Sequence, residues 1–197
     1  MGLILSYQDG QTPLDPEQIE GLKIKTIATQ QQLNEFEQAN INEALKWLNS
    51  KRKIQDVLSE EFMIQLHKRM LGIVWKWAGH FRKSETNIGI DWTKIPIELR
   101  GLIDDAKFWV EHQTYPSEEI AIRFNHRLVS IHCFLNGNGR HSRIMADLIA
   151  THVLGLEKFT WGHNGLVEPS AQRKAYLHAL HLADRGDFSQ LILFARS

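Results

Sequence analysis

Apolar residues recur every three to four positions over most of the chain, which is the spacing that places them on one face of an α-helix. One such stripe runs from Leu33 to Leu48. A second runs from Met63 to Trp77, and we expect this helix to end at Gly79. Further helices are predicted at about 96–110, from Pro116-Ser117 to Ile131, from directly after the LNGNG stretch to Gly155, and at about 170–184 and 187–195. The pattern therefore predicts an all-α fold.

One segment alternates with a period of two instead. Ile88, Ile90 and Trp92 are separated by single residues and follow a polar stretch from Lys83 to Asn87. This pattern predicts a short β-hairpin over about 80–92. Because an isolated hairpin is marginally stable in water, we expect it to lean on the helices as a flap over a site.

The chain is long enough for one domain with a full core. Residues 1–30 contain two prolines and few large apolar side chains, which predicts an N-terminal arm with one short helix. Residues 31–197 are predicted to form the folded domain.

Charge and cysteine content narrow the class of protein. Lys and Arg together number 23, as do Asp and Glu, so the net charge is zero with neutral histidine. This balance argues against non-specific nucleic-acid binding, which depends on a basic excess. The single cysteine, Cys133, excludes an intrachain disulfide framework and favours a reducing, cytoplasmic location. No apolar run approaches the roughly 20 residues that span a bilayer, so no membrane partner is expected.

The stretch from Ser130 to Arg143 carries the candidate chemistry. A glycine-rich turn precedes a predicted helix, whose N-terminal N–H groups attract anions. Arg140 and Arg143 are three positions apart in the first turn of this helix, where a bound polyphosphate would offset their unfavourable interaction with the helix dipole. His132 lies across the turn, where it is placed to accept a proton. Each feature alone is common as structure, but the combination favours a site.

At these residues the chain resembles the Fic family, whose signature is H-x-F-x-[D/E]-G-N-G-R-x-x-R. The matching positions are His132, Phe134, Gly137, Asn138, Gly139, Arg140 and Arg143. The segments TPLDPEQIEGL and NEFEQANINEAL further resemble the short bacterial Fic proteins called mobile mystery protein B. The resemblance implies a Fic-like helical bundle with a β-hairpin flap over the active site.

The resemblance implies a protein adenylyltransferase, which transfers AMP from ATP to a hydroxyl side chain of a target protein and releases pyrophosphate. His132 would deprotonate the target hydroxyl, and Phe134 would anchor the loop in the core. The Gly137-Asn138-Gly139 turn would bind phosphates, with Arg140 and Arg143 on the β- and γ-phosphates. The expected ligands are ATP and Mg²⁺.

The same resemblance implies how partners would be held. The flap would clamp the backbone of the target protein by strand addition, through Asn87, Ile88, Gly89 and Ile90. The target would present a Ser, Thr or Tyr hydroxyl. An inhibitory partner chain and a second copy of this chain are further partners to consider.

Two positions depart from the family pattern. The residue before Gly-Asn-Gly is normally an acidic Mg²⁺ ligand, whereas here it is Asn136, whose neutral amide oxygen is a weaker ligand. This departure leaves open a catalytically weakened protein that binds nucleotide or a partner. Cys133 stands where many relatives have proline. We expect it to be a buried small apolar residue, although a reactive thiol is an alternative.

Many Fic proteins carry an inhibitory glutamate in a [S/T]-x-x-x-E-[G/N] motif, whose carboxylate pairs with the second signature arginine. Glu37 is the best-placed candidate, although Leu33 and Gln38 depart from the motif. Glu20, followed by Gly21, is the other candidate. For each of these residues, a solvated surface acid is the competing interpretation.

Two rivals come from other classes of function. A histidine-rich metal hydrolase would use pairs such as His178 and His181, but the chain has no H-E-x-x-H motif. A non-enzymatic interaction module would keep the fold without transfer.

Overall fold

A computed structural model describes residues 19–51, 54, 56–162 and 169–197. The short helix predicted for the N-terminal arm, residues 1–30, falls largely on residues 1–18, outside the described residues. None of the helices in the described ranges is long and apolar enough to cross a membrane.

Seven α-helices and two short helical turns make up the described part of the chain. The α-helices are α1 (Gln30–Asn49), α2 (Glu60–Leu71), α3 (Ile95–His112), α4 (Ser117–Ile131), α5 (Asn138–Leu148), α6 (Pro169–Ala183) and α7 (Ser189–Arg196). A 3-10 turn at Trp92–Lys94 precedes α3, and a π-helical turn at Ile149–Val153 follows α5. The prediction of an all-α fold is confirmed.

The helix starts follow from local chemistry. Thr29 caps α1 in a reciprocal capping box with Gln32, and the Ser59 side chain accepts from the backbone N–H of Phe62 at the start of α2. Pro96 lies in the first turn of α3, where its missing N–H costs nothing. These boundaries agree with the sequence pattern.

Helix α4 is central to the packing, because it contacts α3, α5 and α7. Helix α2 contacts both α1 and α5. Apolar side chains from all of these helices bury a single core that includes Met63, Leu66, Phe124, Ile131 and Met145. The α4–α5 connection, which holds the candidate site, therefore lies on two helices anchored in the core.

The second helix is shorter than predicted. It ends at Leu71, not near Gly79. The following turns pair with the start of the described chain, since Lys23 donates its backbone N–H to Val74 and Lys76 donates to Gly21, both at 2.8 Å. Val74 and Trp75 are buried in these turns. The apolar pattern therefore continues beyond the last residue of the helix, which is why the helix was predicted to be longer.

The β-hairpin predicted over about 80–92 is wrong. This flap segment contains no strand, and the described ranges as a whole contain none, although an isolated bridge joins Leu22 to Trp75. The backbone of the segment bonds to the loop just after α4, because the Arg82 N–H donates to the carbonyl of Cys133 at 2.9 Å. The Arg82 guanidinium takes carbonyls that a hairpin ladder would have used, those of Ser84 and Ile90. Its position as a flap next to the site is nevertheless observed.

Candidate active site

The candidate site is built on the connection from α4 to α5, residues 132–137, which we call the signature loop. Helix α4 ends with His132 in the left-handed conformation (φ 56°, ψ 60°), and Gly137 (φ 80°) precedes the first residue of α5. A left-handed backbone at a residue with a side chain is sparsely populated and concentrates at functional sites. Sequence analysis predicted this helix, turn and helix arrangement.

His132 is buried, with 5% of its surface exposed, and neither ring nitrogen has a hydrogen-bond partner among the described residues. Burial, reinforced by the positive charge of Arg82, lowers the pKa of His132 to about 4. The imidazole is therefore neutral at neutral pH. It borders the cavity described below, so it can accept a proton from a group that enters.

The signature loop is braced from within. The side chain of Asn138 accepts from the backbone N–H of Phe134 at 2.9 Å and donates to the Phe134 carbonyl at 2.7 Å. Asn138 is buried, so its side chain serves the loop while its backbone begins α5. A Cβ atom on Gly139 would meet nothing within 4 Å, which leaves open space at the first turn of α5. The loop thus presents an uncrowded helix N-terminus to the cavity.

His67 of α2 holds the loop from outside, a contact that sequence analysis missed. Its ring stacks on Phe134 with centroids 3.7 Å apart. Its Nδ1 accepts from the backbone N–H of Gly79 at 2.9 Å, so its Nε2 carries the proton that is donated to the Asn136 carbonyl at 3.0 Å. Phe134 is fully buried, as a core anchor requires. A histidine in a helical apolar stripe gives no signal that distinguishes this role from ordinary packing.

Arg140 and Arg143 line the same cavity. Arg143 donates from Nε to the Gly139 carbonyl at 3.2 Å and lies 5.4 Å from the centre of the Tyr176 ring. Arg140 is paired with a carboxylate of α1, since its Nη2 lies 2.8 Å from Oε2 of Glu37. The structure therefore brings together the two arginines that the sequence placed on one helix face.

Glu37 is the inhibitory candidate, and the structure places it at the site. It is 4% exposed, and the Trp75 indole donates to its Oε1 at 2.7 Å. The expected partner was Arg143, the second arginine of the signature, but the observed partner is Arg140, the first. Glu20, the other candidate, is exposed. The sequence alone does not show which of the two signature arginines the Glu37 carboxylate would contact.

A cavity of about 740 Å³ connects these groups. Its walls come from α1, the flap segment, the signature loop and α6. Asn87, Ile88 and Gly89 of the flap segment are exposed beside it, while Ile90 is partly buried. The volume suits a ligand of nucleotide size.

The residues present do not fit a resident Mg²⁺ ion. Asn136 Oδ1 accepts from the backbone N–H of Gly137 at 2.6 Å. The carboxylates in the described lining are Glu37, paired as above, and Asp184, which lies 2.8 Å from Nε2 of His126. Mg²⁺ is usually held by one or two free carboxylates together with phosphate oxygens.

The other candidates contribute no site in the described residues. No group of three or more His, Cys, Asp or Glu residues that could hold a metal ion occurs there, and His178 and His181 belong to no such group. Cys133 is buried, and burial raises the pKa of its thiol to about 12. As predicted, it is a buried apolar residue, and it is not primed as a nucleophile.

Comparisons with known proteins agree with this geometry. Residues 57–150 match the Fic/DOC family. The protein adenylyltransferase Fic of Drosophila virilis is 29% identical over 158 residues, which cover 77% of this chain and 30% of that protein. The chain thus spans about a third of the length of the curated relatives it matches.

Solved structures show the same fold. The Fic domain of Bep8 from Bartonella sp. 1-1C matches with a TM-score of 0.70 at 15% identity, covering 90% of each chain. Fic-1 of C. elegans matches with a TM-score of 0.60 at 23% identity, covering 80% of this chain and 45% of that one. With its signature on the α4–α5 connection and its fold shared with these structures, the chain carries, over residues 57–150, a domain of the Fic/DOC family.

Proposed function

We propose that this protein is a protein adenylyltransferase, which transfers AMP from ATP to a Ser, Thr or Tyr hydroxyl of a target protein. The observation that carries the proposal is the position of His132. The imidazole is buried and neutral, has no hydrogen-bond partner of ordinary geometry among the described residues, and borders the cavity that also contains both signature arginines and the open N-terminus of α5.

The chemistry follows from these groups. His132 accepts the proton of the target hydroxyl as its oxygen attacks the α-phosphorus of ATP. The bond from that phosphorus to the bridging oxygen of the β-phosphate breaks, and pyrophosphate leaves. Backbone N–H groups at the start of α5 stabilise the developing negative charge, and Arg140 and Arg143 bind the β- and γ-phosphates. Because both carboxylates in the described cavity lining are paired, we expect Mg²⁺ to be held by the phosphates of the nucleotide.

We place the target on the flap segment. Asn87 and Gly89 are exposed, and their backbone groups have no hydrogen-bond partner among the described residues, whereas Ile90 uses its carbonyl on Arg82. An extended target backbone pairing with Asn87, Ile88 and Gly89 would bring its hydroxyl next to His132.

We further propose that Glu37 restrains the enzyme from within the chain. Its carboxylate neutralises Arg140, one of the two cations that ATP needs. A separate inhibitory chain, or a second copy of this chain, is the alternative source of restraint. A catalytically weakened nucleotide-binding protein is the second candidate function, because Asn136 replaces the acidic residue of the family pattern.

Incubation with ATP labelled separately at the α- and γ-phosphates, together with a protein extract, tests the proposal. Label from the α-phosphate alone, lost in His132→Ala, is the expected result. Label from the γ-phosphate would indicate kinase chemistry instead. Nucleotide binding without transfer, in the wild type and in Glu37→Gln alike, would favour the weakened protein.

A further inference from the structure

Arg82 is a buried cation held almost entirely by backbone carbonyls. Only 1% of its surface is exposed. Its Nε donates to the His132 carbonyl at 2.7 Å, and its Nη2 lies 3.5 Å from the Ile131 carbonyl. On the other side, Nη1 and Nη2 donate to the carbonyls of Ser84 and Ile90. One guanidinium therefore joins the end of α4 to the flap segment.

The carboxylate nearest to this cation is a weak counter-ion. Glu85 lies 4.0 Å from Nη1, and its side chain is 66% exposed. A charge buried without a close ion pair is costly, and proteins retain it where its hydrogen bonds are needed. Packing alone would be served more cheaply by an apolar side chain at this position.

The catalytic base needs such support because its ring is weakly held. Among the described residues neither ring nitrogen has a hydrogen bond of ordinary geometry, and the Val129 carbonyl is the backbone group that acts on the imidazole. Its position is set by its backbone, which has the left-handed conformation and donates its N–H to the Leu128 carbonyl at 3.3 Å. The bond from Arg82 Nε to the His132 carbonyl is the side-chain contact that fixes the next peptide group, on the other side of the His132 Cα.

Gly89 gives independent evidence that the flap and the base form one unit. A Cβ atom added there would lie 2.6 Å from Cβ of His132 and 2.8 Å from Nη2 of Arg82. Gly89 also has a φ of 110°, a conformation that other residues rarely adopt. The backbone of the flap segment is thus in direct contact with both residues.

We propose that Arg82 is a positioning residue, which fixes the His132 backbone and ties the flap segment to it. A target segment bound to the flap would then lie at a set distance from the base. This inference rests on the proposed function, since it assigns a role in the same transfer reaction. It adds a residue that touches neither ATP nor the target.

Electrostatics support the assignment. After burial, the charge of Arg82 is the second cause that lowers the pKa of His132, and a backbone hydrogen bond with Val129 acts in the opposite direction. The same guanidinium therefore places the imidazole and helps to keep it neutral.

Two substitutions separate these effects. Arg82→Lys keeps the charge but loses the planar fork, and Arg82→Gln loses the charge as well. We expect kcat to fall about 100-fold in both, as for a misplaced catalytic group, while the KM for ATP changes less than about threefold. The pKa of His132, followed by NMR of its ring protons, is expected to rise in Arg82→Gln and to stay unchanged in Arg82→Lys. Arg100→Gln is the control, because Arg100 is exposed and lies away from the site.

The NMR titration needs no activity, so it tests the inference even if the protein transfers no AMP. A purely structural role would lower the folded fraction and leave kcat per folded molecule and the His132 pKa unchanged, and this result would overturn the proposal. If neither Arg82 variant folds, Gly89→Ala decides, since it keeps the Arg82 side chain and pushes the flap backbone away from both His132 and Arg82. Wild-type kcat in folded Gly89→Ala would overturn the proposal as well.

Discussion

Oε2 of Glu37 lies 2.8 Å from Nη2 of Arg140, so a carboxylate of α1 occupies the first signature arginine. The pair is positioned from both sides, because Trp75 holds the other carboxylate oxygen and Arg140 lies in the first turn of α5. A nucleotide that needs Arg140 must displace this carboxylate or bind without that arginine.

Glu37→Gln is expected to tighten ATP binding by at least about fivefold, the low end of the usual coupling between sites. The amide keeps an acceptor for Trp75 but removes the charge that neutralises Arg140. Isothermal titration with ATP measures the dissociation constant. Glu35→Gln, on the exposed face of the same helix, is the matched control. An unchanged constant in Glu37→Gln would exclude Glu37 as the restraint and favour a partner chain.

Acid is expected to destabilise the fold between about pH 6.5 and pH 4. Burial lowers the pKa of His132 and His141 to about 4 and lowers the pKa of His67 well below its usual value. In this window the histidines are protonated in the unfolded chain but not in the native protein, so the free energy of unfolding falls as the pH falls. Asp147, with a pKa raised to about 6 by burial, acts in the opposite direction, because the native state binds its proton first.

Three histidines against one aspartate give a net loss of stability in acid. Thermal unfolding followed by circular dichroism at pH 7.5, 6 and 5 measures it. His141→Asn is expected to reduce the slope, since it removes one of the buried imidazoles. A melting temperature that is constant or higher at pH 5 would contradict the assignment of neutral buried histidines.

The sequence predicted the helices well where the apolar stripe and a local start signal agreed. Pro96 is such a signal, and it lies in the first turn of α3, because its effect on the backbone is local. The end of α2 was missed, since a stripe of apolar residues reports burial and not backbone conformation. Trp75 is buried in a turn, paired with Leu22 more than 50 positions away in the sequence.

The residues of the signature were predictable from the sequence, but the residues that hold them in place were not. His132, Arg140 and Arg143 stand in one short signature, so their proximity follows from the chain itself. The hairpin failed because Arg82, a residue with no local signal for burial, supplies the bonds that strand pairing would have supplied. The contact of Glu37 with Arg140 depends on how α1 packs against α2 and how α2 packs against α5, which no local pattern determines.

His67→Phe is expected to destabilise the protein by about 2–6 kcal/mol. Phenylalanine keeps the stack on Phe134, but the Gly79 N–H and the Asn136 carbonyl lose their partner, at about 1–3 kcal/mol for each unpaired buried group. Urea unfolding measures the change. His112→Phe is the control, because His112 is an exposed residue at the end of α3. Neutral surface substitutions usually change the free energy of unfolding by no more than about ±0.5 kcal/mol. A change of that size in His67→Phe would show that His67 does not hold the loop.

Asn136→Asp is expected to strengthen Mg²⁺-dependent ATP binding by about tenfold, or about 1.4 kcal/mol. The amide oxygen of Asn136 accepts from the Gly137 N–H, and an aspartate keeps that bond with one oxygen while a second, charged oxygen becomes available to a hard cation. Titrations with ATP in the presence and absence of Mg²⁺ measure the gain. Asn34→Asp adds the same charge to the cavity lining from α1, so it controls for a general electrostatic effect. Equal gains in both variants, or no gain in Asn136→Asp, would contradict the prediction. Either result would show that residue 136, the position before Gly137, does not set the metal dependence of ATP binding.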